Sequence, residues 1–528
     1  TPHAPAHTRT RPCKPAHARP CARLPDRIPT TTIQPHTPEG RTPLWGASLS
    51  WQSFNVLLQV VLQLVYIRIL AGILAPEDFG VMALALIVVG VVEIFAQVGI
   101  GPSIVQFPQL SSQYVSSAWW FSALLGLLFF AAMYLAAPEF AHHYNTPVLR
   151  PVLRWISLSF VISGFSVVSR SLLVRDMNFK ALTQCALTGM VVGNLVVGLG
   201  LAFAGAGIWA YVAALLVQNL VLSVGYLWLA RIPVSQGCQS QALRSLLGYG
   251  TRSTAFNLLT YAASKVDLWL VGETLGTRAT GMYDRAVHLM GQPITVLGKL
   301  GDSVLFSGLS SLQDNMPEMQ QVVLRGMHLI ALATLPLTVA LVWQAEGVTW
   351  LFLGPQFDES APLVQVLFAA VAFRALTKLG DANMRALDGL TAGIAIKIAF
   401  LMAIASGVWW NLDQGHGAVG AARAVVLASV LQWLLTTVWM SVRLKLRLVP
   451  LAHALRGGLV LATVVAVPMA ALPWVWWAES ALSAGLAIAV LVWFPNLSLP
   501  QALDRQGDLR RLVGAKLPNA SLRRRWMH

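Results

Sequence analysis

From Trp45 onward the chain alternates between long apolar runs and short polar junctions. Each run is close to the length of about 20 residues that a helix needs to cross a bilayer. Fourteen such runs lie near 45–74, 80–106, 116–137, 151–173, 180–203, 207–230, 247–273, 286–311, 325–344, 361–380, 389–410, 417–440, 453–476 and 480–496. The pattern predicts an all-α polytopic membrane protein with about 14 transmembrane helices. No junction after residue 44 is long enough to hold a soluble domain.

Composition agrees with the pattern. Of 528 residues, 56% are hydrophobic and 11% charged. Soluble domains carry about 25% charged residues, so this chain has too few to cover a water-facing surface. That excludes a soluble enzyme. The four cysteines, Cys13, Cys21, Cys185 and Cys238, form no CxxC pair and point to no disulfide framework or metal site. No phosphate loop, HExxH or GxSxG motif is present, so the sequence predicts neither a catalytic centre nor a cofactor.

The net charge of +15 is unevenly spread. With the N-terminus inside, the even-numbered junctions and the C-terminal segment hold most of the Lys and Arg. The odd-numbered junctions hold mainly acids, with Arg150, Arg154, Arg278 and Arg285 as their only bases beside Glu77, Asp284 and Glu359. This is the asymmetry of an inner-membrane protein with cytoplasmic termini, and it accounts for the basic excess without nucleic acid.

Two junctions repeat. Leu74–Gly80 (LAPEDFG) matches Leu275–Gly281 (LGTRATG) in its Leu and Gly positions, and Gly205-Ala206-Gly207 matches Gly415-His416-Gly417. The offsets, 201 and 210 residues, bracket the same six-span unit twice. Six is even, so the copies share one orientation and are related by a pseudo-two-fold along the membrane normal. The expected organisation is a basic tail (1–43), a six-helix lobe (44–230), a cytoplasmic linker (231–246) and a second six-helix lobe (247–440). Two further helices (441–496) and a basic tail (497–528) follow.

Polar groups inside the spans mark the candidate site. Span 1 carries a stripe of Ser48, Gln52, Asn55, Gln59 and Gln63, and span 7 carries Ser253, Asn257, Tyr261 and Ser264 at similar spacing. Such stripes either bond across helix interfaces or line a wet cavity. Their recurrence at equivalent places favours a shared cavity. Charges cost about 2.5–3.5 kcal/mol each at a helix centre, so they need reasons. The basic set is Arg68, Arg252, Lys265, Lys299, Arg374, Lys397, Arg423 and Arg456, against Glu93, Asp267 and Asp302. Lys299 and Asp302 stand three apart and neutralise each other. What remains is cationic and suits an anionic head group such as a phosphate or pyrophosphate. Glu93, with Gln97 one turn on, reads either as a structural hydrogen bond or as a proton or cation site.

The stretches 64–106 (LVYIRILAGILAPEDFGVMALALIVVGVVEIFAQVGIGPSIVQ), 267–286 (DLWLVGETLGTRATGMYDRA) and 204–212 (AGAGIWAYV) resemble Wzx-type polysaccharide flippases. The likeness runs from about 45 to 445 and is strongest to the colanic acid and teichuronic acid branch of lipopolysaccharide biosynthesis exporters. That branch belongs to the multidrug/oligosaccharidyl-lipid/polysaccharide exporter superfamily. The resemblance implies two six-helix lobes, alternating access and an undecaprenyl-pyrophosphate-linked oligosaccharide as substrate. It further implies work beside a polysaccharide polymerase and chain-length proteins. Arg68, Lys265 and Arg374 are then the candidates for head-group contact, with Gln52, Asn55, Gln59 and Asn257 for the sugar. Glu93 and Asp267 are the candidate ion-coupling acids. Two rivals stand beside this reading. One is a cation-coupled multidrug antiporter of the same superfamily, which calls for an acidic cavity. The other is a polysaccharide polymerase or ligase, which calls for a large outward loop.

Overall fold

The computed structural model describes residues 45–97, 100–106, 111–230, 240–310, 316–387, 389–446 and 448–471. The expected tails (1–43 and 497–528) and the expected span 480–496 lie outside the described residues. The described chain is helical nearly throughout. Its elements are α1 (Trp45–Ile73), α2 (Pro76–Gln97), α3 (Ile100–Gln106), α4 (Ser112–His143), α5 (Leu149–Ile156), α6 (Leu158–Arg175), α7 (Phe179–Met190), α8 (Leu199–Phe203) and α9 (Ile208–Ala230). The second half holds α10 (Ser240–Ser310), α11 (Met316–Trp343), α12 (Ala345–Phe352), α13 (Ala361–Phe368), α14 (Val371–Ala386), α15 (Leu390–Asp413), α16 (Gly417–Arg443) and α17 (Leu448–Ala471).

Among the described residues nine helices, or ten with the bent pair Pro355–Phe368 and Val371–Met384, are long and apolar enough to cross a membrane. Within the described residues every expected span from 45–74 to 453–476 falls mainly on helix. Spans 7 and 8 form the two limbs of α10, which reverses at Gly276 (φ 78°, ψ −178°), a conformation that a side chain would strain. Pro76 opens α2 at the position where its missing N–H costs nothing, and Glu77 and Asp78 complement the positive end of the helix. Between α7 and α8 the chain runs as a π-helix over Val191–Gly198.

The repeat is visible in backbone detail. Gly205 and Gly207 have φ of 80° and 56°, and Gly415 and Gly417 have 73° and 62°. The hydrogen bonds also coincide. Ala206 N donates to Leu201 O (3.0 Å) and Gly205 N to Ala202 O (3.0 Å), while His416 N donates to Asn411 O (2.9 Å) and Gly415 N to Leu412 O (3.0 Å). Both are the helix-ending motif in which glycine supplies the left-handed residue. Helices α5 and α13 are each 8 residues long and each leads almost directly into a longer partner, α6 or α14. The halves differ in what precedes this pair. Residues 144–148 join α4 to α5, whereas α12 and the 3₁₀ turn Pro355–Ser360 lie between α11 and α13.

The halves meet along α2 and α10. On α1, Tyr66, Ile67, Leu70 and Ala71 are buried, as is Leu74 just past its end, while nothing from 58 to 65 is. On α2, Phe79–Ala85 are buried and Phe95 is exposed. The second limb of α10 is buried at 280–286 and half-buried to exposed from 291 to 296, and on its first limb Asn257 is exposed and 258–262 are half-buried. The central helices are therefore closed at the end carrying the odd-numbered junctions and less tightly packed toward the other, the parted end.

Asp284 and Arg285, which the sequence places in an outward loop, are instead 9% and 6% exposed inside the second limb of α10. The limb begins at about 277, and its first turns pack on α2, so both charges are enclosed by the junction between the halves.

Candidate functional site

Asp267 lies on the first limb of α10 and is 3% exposed. Tyr283, on the second limb and fully buried, donates its hydroxyl to Asp267 Oδ2 at 3.0 Å. The cations acting on this carboxylate are Arg374, from α14, and Lys265. Arg374 is half-buried. Its Nε donates to Ser429 Oγ on α16 at 3.1 Å, and its guanidinium lies 6.0 Å from the Phe400 ring centre. Four helical segments, the two limbs of α10 with α14 and α16, all of the second half, thus converge around Asp267 and Arg374.

A second centre lies beside it. Arg285 pairs with its neighbour Asp284, through Nε at 3.1 Å and more closely through a terminal nitrogen. Its guanidinium stacks 4.8 Å over the Phe79 ring of α2 and bonds to Tyr211 of α9. This cation is spent on joining the halves. His288 meets Gln292 at 2.9 Å on the open side of the pair.

Lys265 connects the two centres. Its charge acts on Asp267, Asp284 and His288. It is half-buried, and among the described residues no ion pair within 4 Å holds it. Three cations, Lys265, Arg285 and Arg374, face two carboxylates, Asp267 and Asp284; Arg285 is paired with Asp284, and among the described residues neither Lys265 nor Arg374 has a carboxylate within 4 Å. An ammonium on a flexible stem is suited to capture an incoming anion.

The remaining sequence candidates divide. Gln59 is half-buried and Asn257 exposed, both on the parted halves of their helices. The side chains of Gln52 and Asn55 lie outside the described residues. Glu93 is half-buried toward the open end and acts on Tyr261, whose hydroxyl donates to the Leu86 and Ile87 carbonyls of α2 (3.0 and 3.1 Å). Arg68 stands apart from Lys265 and Arg374. Its guanidinium lies against Gly354 and Gly72 at the closed end. No group of three or more His, Cys, Asp or Glu capable of holding a metal occurs among the described residues.

Asp284, Arg285, Tyr283 and Ser429 were not expected at the site. The repeat carried the missing signal: Gly80 opens span 2, so its match, Gly281, places the start of span 8 ahead of both charges.

A chain of apolar spans in two matching halves, sealed at one end, parted at the other and charged at the centre, is built as an alternating-access membrane transporter. Solved transporters share the fold. The lipid II flippase MurJ in an inward closed conformation aligns with a TM-score of 0.68 at 11% identity, covering 87% of this chain and 100% of that one. An inward-facing multidrug resistance MATE family transporter aligns at 0.60 and 14% identity, covering 73% and 94%. The polysaccharide biosynthesis protein family matches residues 69–362, more than half of the sequence, and the chain belongs to that family. Relatives include the lipopolysaccharide biosynthesis protein WzxC of Escherichia coli, 20% identical over 392 residues (73% of this chain, 78% of that protein). The succinoglycan biosynthesis transport protein ExoT of Rhizobium meliloti is 24% identical over 365 residues (68% and 70%).

Proposed function

We propose that the protein is a flippase that moves an undecaprenyl-pyrophosphate-linked oligosaccharide repeat unit across the bacterial inner membrane, with both termini cytoplasmic. The functional halves are 44–230 and 247–440, joined by 231–246. The head group enters from the parted end, and its phosphates meet Lys265 and then Arg374. Gln52, Asn55, Gln59 and Asn257 accept the sugar, and the prenyl chain stays in lipid. The halves then rock about their α2–α10 contact, exchanging the open end for the sealed one. Arg68, beside the seal, receives the phosphates on the exit side. No covalent bond changes, so the protein is not an enzyme. Glu93 and Asp267 are the groups placed to couple the cycle to an ion.

The observation that carries this reading is the excess of cation at the centre, held by Lys265 and Arg374. It also disfavours the multidrug antiporter, which calls for an acidic cavity. In cells lacking the gene, lipid-linked repeat units should accumulate and surface polysaccharide should fall. The wild-type chain should restore both, and Lys265→Ala, present in the membrane at normal amounts, should not. Full restoration by Lys265→Ala would remove the site.

A further inference from the structure

The second half carries an element that the first lacks, and its tip reaches across the seal. We propose that Ala345–Ser360 is a clasp: its base belongs to the second half, its tip grips the first, and it must release before the halves part at the closed end. This rests on the alternating-access reading above.

The base runs between α11 and α13 of the second half, and α12 is a short regular helix within it. Thr349 Oγ1 donates to Ala345 O (2.7 Å), and Leu353 N donates to Thr349 O (2.8 Å). Helix α12 leaves Trp350 and Leu351 exposed near Trp343, an edge suited to the membrane interface. Gly354, with φ of 88°, turns the chain toward the first half.

Two kinds of contact then reach across directly, and an ion-pair relay adds to them. Gln356 Nε2 donates to Gly72 O at the end of α1 (3.2 Å), and Gly354 lies under the Arg68 guanidinium. Phe357, fully buried, meets Phe79 of α2 edge-on, with ring centres 5.6 Å apart. Glu359 reaches the first half by relay: it pairs with Arg278 of its own half (3.3 Å), and Arg278 pairs across the seal with Glu77 (3.1 Å), the residue that matches it in the repeat. The hydrogen bond to Glu77, and then the charge of Glu359, raise the Arg278 pKa above its ordinary value. Exposed ion pairs contribute little each, so they trim the closure while the buried ring contact holds it. A few contacts at one tip can be surrendered together, which suits a release step better than a wide interface does.

The test uses a chain with its four native cysteines replaced by serine and one reporter, Thr280→Cys, at a side chain that is fully buried at the seal. A membrane-impermeant maleimide is applied from each side of vesicles. Glu359→Gln and Arg278→Gln should each speed labelling from the sealed side by about two- to five-fold, the range that one exposed pair allows. Phe357→Ala should speed it more. Unchanged labelling in both charge variants would overturn the clasp, and because both positions are exposed the test survives misfolding of Phe357→Ala. Joining Gly72→Cys to Gln356→Cys with a short bifunctional maleimide should abolish sealed-side labelling of the reporter, whereas normal labelling of the joined protein would overturn the proposal. Labelling reads the seal whatever the cargo. Failure of the unmutated protein to move lipid-linked sugar would count against the flippase reading and leave the clasp standing.

Discussion

Gly80 and Gly281 stand face to face across the seal, each against the other half's backbone. A Cβ on Gly80 would overlap the Thr277 carbonyl oxygen, and one on Gly281 would overlap the Pro76 carbonyl oxygen. Pro76 and Thr277 are themselves matched in the repeat, so the contact is reciprocal, as a two-fold requires. Only glycine permits this approach of two helices, a device common among membrane helices.

Gly80→Ala should therefore pry the closed end apart. Overpacking costs about 1–3 kcal/mol. Since it falls on the sealed state alone, it should shift the population toward the other state by roughly 5- to 150-fold. Sealed-side labelling of a buried cysteine at Thr280 checks this. Alanine at Gly200, where nothing lies within 4 Å, should leave labelling unchanged.

Asp284 and Arg285 should behave as a structural pair. Removing one partner of a buried pair costs about 3–5 kcal/mol, because the other charge is left uncompensated. Asp284→Ala and Arg285→Ala should each lower thermal stability in detergent sharply. Replacing both residues together with apolar side chains of similar size should recover much of the loss.

Tyr283→Phe tests the other centre. It removes the hydroxyl that serves Asp267 and leaves the ring in place. A hydrogen bond to a charged group contributes about 1.5–3 kcal/mol. The variant should fold, melt lower, and change the pH dependence of export if Asp267 couples ions. An unaltered pH profile would assign Asp267 a structural role.

Lys265→Arg should keep part of the export that Lys265→Ala loses, because the charge persists while its shape changes. Ser429→Ala frees Arg374 from its anchor, so it should weaken substrate capture less than Arg374→Ala does. Dose–response of export against substrate supply separates the two.

Most of this architecture was legible in the apolar runs, because a bilayer leaves the backbone few options besides the helix. The glycine motifs were legible for the same reason, since Gly205, Gly207, Gly415 and Gly417 carry backbone angles that other residues avoid. The buried position of Asp284 and Arg285 was not, because paired charges at a run's edge read as loop. The clasp was foreshadowed only by unequal offsets, 201 at the first motif and 210 at the second, which require added residues in the second half. Which cation is free at the centre depends on neighbours from α9, α14 and α16 and has no local signature. Lys265 and Arg374 read alike as intramembrane cations, whereas Arg285 reads as a junction base, and only its partners Asp284 and Phe79 reveal it as a buried one.

The most direct measurement is movement of the head group itself. Purified protein is placed in liposomes with a polyprenyl-pyrophosphate-linked oligosaccharide, and an added glycosidase reports how much sugar reaches the outer leaflet over time. The account predicts rapid exposure with the wild-type chain and only the protein-free background rate with Lys265→Ala. Background exposure with the wild-type chain, or equal exposure with both, would contradict it.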